Sequence, residues 1–456
     1  MGATNSKGIN LILGNPKKAL IKMSIPLVIS LFITSLYSVV DAIWVSGLGA
    51  NALAGVGYVS PIFIALLGIG NGLGAGSTFA ISRYIGENNK SKVDNGGVHT
   101  IIITVIISII TTLILLIFLK PILLFIGAGN TINYAMDYGT IIVLGSIFII
   151  LSNSLYGVLR GEGDANRMMY TMITSSILNI ILDPIFIYYF GLGVKGAGIA
   201  TVISLVIVNL ILLYWFYIKK NTYTSPFIKN YKFNKEISID ILKVGLPASL
   251  ELVNNALFAA LFSLLLTSIA STDAVAVYST GWRVVTIATT PMLAIATALI
   301  TVVAVNYGKR EYENILIAHR YSMKIAVLCG IISAIIIYIF APQIVTLFSY
   351  TGTSIRLNST LISFLSCIVL FFPTMGFGAT STFLFQGLGK GMTAMFQTIL
   401  RETVFTLSFA ILLAVVFNFG EYGAWWGIVL GELVVNLITM FWADLYVKKL
   451  IKYKSI

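Results

Sequence analysis

Residues 219–243 read KKNTYTSPFIKNYKFNKEISIDILK, with six lysines in 25 positions. On either side lies an apolar run of membrane-spanning length, 196–218 before it and 244–270 after it. A helix needs about 20 apolar residues to cross a bilayer. The polar stretch is therefore a connection at a membrane surface, and the runs beside it are spans. The rest of the 456-residue chain follows the same pattern: 58% of it is hydrophobic and 10% charged, against roughly 25% charged in soluble domains.

Reading outward gives twelve spans, near 20–46, 53–82, 98–119, 134–158, 169–190, 196–218, 244–270, 275–305, 322–340, 358–384, 394–417 and 423–447. If the N-terminus is cytoplasmic, 24 of the 29 Lys and Arg fall on the cytoplasmic side, and only Lys120, Lys195 and Arg356 face outward. That bias sets the orientation, places both termini in the cytoplasm and makes the number of spans even. It also accounts for the net charge of +12 without nucleic acid. Residues 219–243 then separate a first half, 1–218, from a second, 244–456.

The halves share landmarks in order. Pro26 and Pro247 open spans one and seven. Arg83–Glu87 and Asn306–Glu311 close spans two and eight. Gly161–Asp164 and Gly387–Lys390 follow spans four and ten, and Gly196-Ala197 and Gly423-Ala424 open spans six and twelve. The offsets drift slowly through 221, 222, 226 and 227. Six spans per half make the repeat parallel, a plan that in transporters puts the substrate site at the repeat interface. The expected fold is all-α and integral to the membrane, with two six-helix lobes.

Charges inside spans are costly and are functional candidates by default. They are Asp41, Asp183, Glu251, Arg283, Arg401, Glu402 and Glu432. Asp41, Asp183 and Thr201 lie at one depth, roughly 8–12 Å below the outer surface at 1.5 Å per residue. Asn179 is one turn from Asp183, on the same helix face. Two carboxylates, an amide and a hydroxyl suit a proton or Na⁺; a buried acid satisfied by hydroxyls is the structural alternative. Glu251 and Arg401 are candidates for a structural ion pair. Pro26 either starts span one or breaks its hydrogen-bond ladder and lets it bend. His99 and His319 stand in polar connections and read as solvated. Cys329 and Cys367 read as inert, and residues 1–18 as a polar start that is not a signal peptide. The sequence has no phosphate-binding loop, metal cluster or nucleophile beside a histidine, so neither an enzyme nor a bound cofactor is expected.

Several motifs resemble the multidrug and toxic compound extrusion (MATE) family. They are Pro26 with Leu36–Asp41, Gly47–Gly57, Arg160–Asp164 and Asn179–Pro184. The resemblance implies two lobes in a V and efflux of organic cations or amphiphiles driven by H⁺ or Na⁺. In the DinF-like branch it implies a coupling site at Asp41, Asn179, Asp183 and Thr201, with Na⁺ possible there, and bending of span one at Pro26. Another branch places acids in spans seven and ten. Here span ten has none, so coupling is expected in the first lobe. A monomer in a prokaryotic cell membrane is expected. A lipid-linked oligosaccharide or lipid flippase of the same superfamily is the alternative function.

Overall fold

The computed structural model describes residues 7–227, 231–270, 272–346 and 356–454, and none of these residues forms a strand. A short helix, α1 (Lys7–Leu13), is followed by α2 (Pro16–Ser46), α3 (Ala50–Gly86) and α4 (Lys90–Phe125). Next come α5 (Ile132–Leu144), α6 (Ser146–Gly161), α7 (Ala165–Pro184) and α8 (Val194–Leu213). The second half holds α9 (Lys235–Ile269), α10 (Thr272–Gly308), α11 (Tyr312–Thr346), α12 (Asn358–Ile368) and α13 (Phe372–Gly387). It ends with α14 (Gly391–Ile399), α15 (Leu407–Ile411) and α16 (Gly420–Lys454). π-helical turns continue α7 over Ile185–Tyr189 and α8 over Tyr214–Lys219, and they bracket α15 over Leu400–Thr406 and Leu412–Val416.

Among the described residues, eleven helical stretches are long and apolar enough to cross a membrane. The twelfth expected span, near 134–158, is the pair formed by Gly129–Leu144 and α6, bent by 48° at Gly145. Gly145 is required there because a Cβ would fall 2.3 Å from the Val202 side chain of α8. Three features depart from the sequence reading. The polar start contains α1, whose Ile9 and Ile12 are buried. The polar connection is already helical from Lys235, where α9 begins. Pro26 lies inside α2 and does not start it.

The described residues form two compact units. Unit 1 takes Met1–Asn15 and Ile25–Leu252, and unit 2 takes Pro16–Ser24 and Val253–Ile456. Two long helices, α2 and α9, thus change unit along their length, α2 just before Pro26 and α9 five residues after Pro247.

Unit 1 is held by close helix packing. A Cβ on Gly157 of α6 would lie 2.1 Å from the Gly74 carbonyl oxygen of α3. The same contact lets Thr78 and Ser82 donate to the carbonyls of Gly157 and Gly161 at 2.9 and 2.8 Å. Its apolar core includes Val59, Leu66, Leu119, Ile142 and Ile150. The core of unit 2 is rich in rings, with Phe262, Tyr278, Phe364 and Trp425 packed together.

The repeat is written into the turns. Left-handed backbone occurs at Asn88 and Arg310, Gly163 and Gly389, Gly191 and Asn418, and Gly193 and Gly420. Those pairs are offset by 222, 226, 227 and 227 residues, the drift already visible in the sequence.

Candidate functional site in unit 1

Four helices of unit 1 converge on one polar pocket. From α7 come Asn179 and Asp183, four residues apart and so on one face; both are buried, Asp183 completely. Pro184 follows and has no N–H to continue the helical ladder, and the backbone widens into the π turn at Ile185–Tyr189. Such turns recur at functional sites. From α8 comes Thr201, whose hydroxyl donates to the Ala197 carbonyl at 3.0 Å and accepts from the Asn179 amide at 3.2 Å.

From α2 comes Asp41, half-buried. Its carboxyl lies beside that of Asp183. Two ionised carboxylates only accept hydrogen bonds, so their closeness favours a proton or another cation at the pair. The Oδ1 of Asp41 is buried and has no hydrogen-bond partner among the described residues.

Two tyrosines complete the pocket and were missed in the sequence. Tyr37 lies one turn before Asp41 on α2, close enough to both acids to feel their charge. The i, i+4 spacing could have flagged it. Tyr138 of α5, also beside both acids, lies next to the Thr201 side chain; no local pattern ties it to α7. On the same side of unit 1, the Tyr188 hydroxyl donates to the Trp44 carbonyl at 2.5 Å and ties the π turn to the end of α2.

The other candidates lie elsewhere. Glu251 belongs to the unit 1 portion of α9, and Arg401 to unit 2. Arg401 is 3.3 Å from Glu402 and 3.7 Å from Glu432, acids to which the sequence reading assigned no partner. Arg283 is exposed.

The histidine reading is overturned, since both rings are buried. His99 stands 2.8 Å from the Asn95 carbonyl and accepts the Asn234 N–H at 3.0 Å. The Nε2 of His319 is 3.5 Å from the Ser381 hydroxyl. Both rings therefore lie in the packed interior, with polar contacts. Among the described residues, no group of three His, Cys, Asp or Glu is placed to hold a metal.

The sequence matches the MatE family profile twice, over residues 26–185 and 247–416. The two matched segments start 221 residues apart, as the two prolines do. Multidrug export protein MepA of Staphylococcus haemolyticus is 27% identical over 93% of this chain and 92% of its own. Probable multidrug resistance protein YoeA of Bacillus subtilis is 28% identical over 71% of this chain and 72% of its own. Among solved structures, a MOP superfamily transporter from Pyrococcus furiosus aligns with a TM-score of 0.96 at 35% identity, covering 98% of this chain and 99% of that one. Crystal structures of MATE in straight and bent conformations each align at 0.95, with 35% identity and all of those chains covered. With a profile match in both halves and a full-length structural likeness, the chain belongs to the MATE family of multi-pass membrane transporters.

Proposed function

We propose that this protein is a cation-coupled antiporter that exports organic cations or amphiphilic drugs, with its coupling site in unit 1 at Asp41, Asn179, Asp183 and Thr201. The observation that carries the reading is the closeness of Asp41 and Asp183 in a pocket that also provides hydroxyls and an amide. Two acids that share one proton at the edge of the apolar layer form a site whose occupancy follows the outside pH or Na⁺. Entry of the cation from outside neutralises the pair and favours release of a bound organic cation; loss of the cation to the inside restores the starting state. A charge that moves down 100 mV supplies about 2.3 kcal/mol, enough for roughly one and a half decades of substrate gradient at about 1.4 kcal/mol per decade.

Curated relatives named as multidrug export and resistance proteins support the substrate class. The straight and bent conformations of a solved relative support a bending step, which we assign to α2 at Pro26. We place the protein in a prokaryotic cell membrane with both termini cytoplasmic. The test is drug transport in proteoliposomes under a pH gradient and, separately, a Na⁺ gradient. Asp41→Asn and Asp183→Asn should each cut gradient-driven efflux at least tenfold. Wild-type rates in both variants would sink the coupling assignment, and the gradient that drives the wild-type protein identifies the ion.

A further inference from the structure

A cavity of about 490 Å³ opens in unit 2, lined by Arg320, Met323, Lys324 and Val327 of α11 and by Phe377 of α13. The spacing of the four α11 residues puts them on one helix face. The two helices run antiparallel and meet closely beside the cavity. A Cβ on Gly330 would lie 2.6 Å from the Phe372 carbonyl oxygen, and one on Gly376 would lie 2.7 Å from the Val327 nitrogen. The wall of the cavity is therefore backbone-tight, and its lining side chains stand on rigid helices.

Two cations line this cavity. Arg320 is held by α16, where its Nε and Nη2 donate to the Asp444 carboxylate at 2.9 and 3.0 Å. The same carboxylate takes Lys448 at 2.6 Å. This pair occupies one edge of the guanidinium fork and fixes its orientation; the other edge still carries N–H donors. Lys324, one turn further along α11, is exposed. The rest of the lining is apolar, and the same helix face continues as exposed Leu328, Ile331 and Ile335. Lys309 and Arg310 precede α11, and the charge bias marks that end as the cytoplasmic surface. Arg320 and Lys324 lie about 12 and 18 Å along the helix from Tyr312, at 1.5 Å per residue. The apolar span begins between them, near residue 322. Positive charge thus stands at headgroup depth, and apolar surface leads from it toward the middle of the bilayer.

We propose that the cavity between α11 and α13 binds one anionic phospholipid of the cytoplasmic leaflet. Its phosphate accepts from Lys324 and from the outer edge of Arg320, and an acyl chain lies along Met323, Val327 and Phe377. Basic pockets between spanning helices at this surface take such headgroups. A zwitterionic lipid carries its own cation, which the two basic side chains repel. A soluble phosphate ester has nothing to lay on the apolar wall. The site stands apart from the coupling role assigned to Asp41 and Asp183, and its cations make it a poor place for an organic cation.

The test is native mass spectrometry of the full chain purified in detergent, titrated with phosphatidylglycerol and, separately, with phosphatidylcholine. Lys324→Glu leaves the Arg320–Asp444 pair in place, and it should weaken retention of one phosphatidylglycerol roughly fivefold or more. Lys324→Arg should retain that lipid as the wild type does. Phosphatidylcholine should bind wild type and variant alike. Lys390→Glu serves as the control, because it reverses an exposed charge on the same surface, beyond the end of α13 and outside the cavity. Equal retention of phosphatidylglycerol by wild type and Lys324→Glu would overturn the proposal. An equal loss in Lys390→Glu would show a diffuse charge effect and overturn the site. Displacement of the lipid by glycerol 3-phosphate at equal concentration would make the ligand a soluble phosphate ester and overturn it as well.

Discussion

Glu162 behaves as its surroundings dictate. Glu162, in the turn between α6 and α7, is buried and accepts the Thr224 N–H at 2.7 Å. Burial pushes its carboxyl up from 4.5 to about 8, and the Thr224 bond only partly offsets the shift. The folded protein therefore holds this proton more tightly than the unfolded chain. The stability it contributes is complete below about pH 4.5 and is lost as pH rises through about 8. Glu162→Gln keeps the acceptor for Thr224 and removes the titration. The thermal midpoint of the wild type should therefore fall behind that of the variant as pH rises from about 5 to about 9. A constant gap across that range would contradict the assignment. Asp240 gives a second expectation at this scale. It is 4% exposed and accepts from Arg83 at 2.9 Å and from the buried Tyr84 hydroxyl at 2.7 Å. Removing one partner of a fully buried pair costs roughly 3–5 kcal/mol. Arg83 is partly exposed, so Asp240→Ala should cost about 2–3 kcal/mol, seen as a lower thermal midpoint.

At the level of elements, unit 1 depends on glycine where backbones nearly touch. A Cβ on Gly72 would fall 2.2 Å from the Ser249 hydroxyl, and one on Gly76 would fall 2.1 Å from the Ile241 carbonyl oxygen. These glycines seat α3 against the first part of α9. Gly76→Leu meets backbone that cannot yield, so it should cost more stability than Gly129→Leu, where a Cβ has open space. Thermal unfolding of the two variants decides this. In α2, Pro26 removes one ladder bond from a helix that otherwise runs unbroken from Pro16 to Ser46. Pro26→Ala restores that bond and should stiffen the helix. We expect slower turnover in proteoliposomes with drug affinity unchanged; equal turnover would separate the proline from the transport cycle.

For the whole molecule, the charge map predicts both termini on the cytoplasmic face. Lys18, Lys195 and Lys452 are all exposed. In intact cells, a membrane-impermeant thiol reagent should label Lys195→Cys and leave Lys18→Cys and Lys452→Cys untouched until the membrane is opened. Labelling of either terminal site from outside would invert the orientation.

The sequence by itself determined the twelve apolar segments, the surface bias of Lys and Arg, the parallel repeat and the acids that enter the unit 1 pocket. Each of these is a local property: run length, charge between runs, glycine and proline at fixed offsets, or two residues one turn apart. Tertiary structure decided what distant segments do to one another. It joined α5 and α6 as a bent pair, placed α1 against buried surface, and brought Tyr138 to Thr201. It buried His99 and His319, which polar neighbours in the sequence had made look solvated. It put Arg401 between Glu402 and Glu432, a pairing that spans of separate register could not reveal. Burial sums contributions from every neighbouring helix, and no window of the sequence contains them.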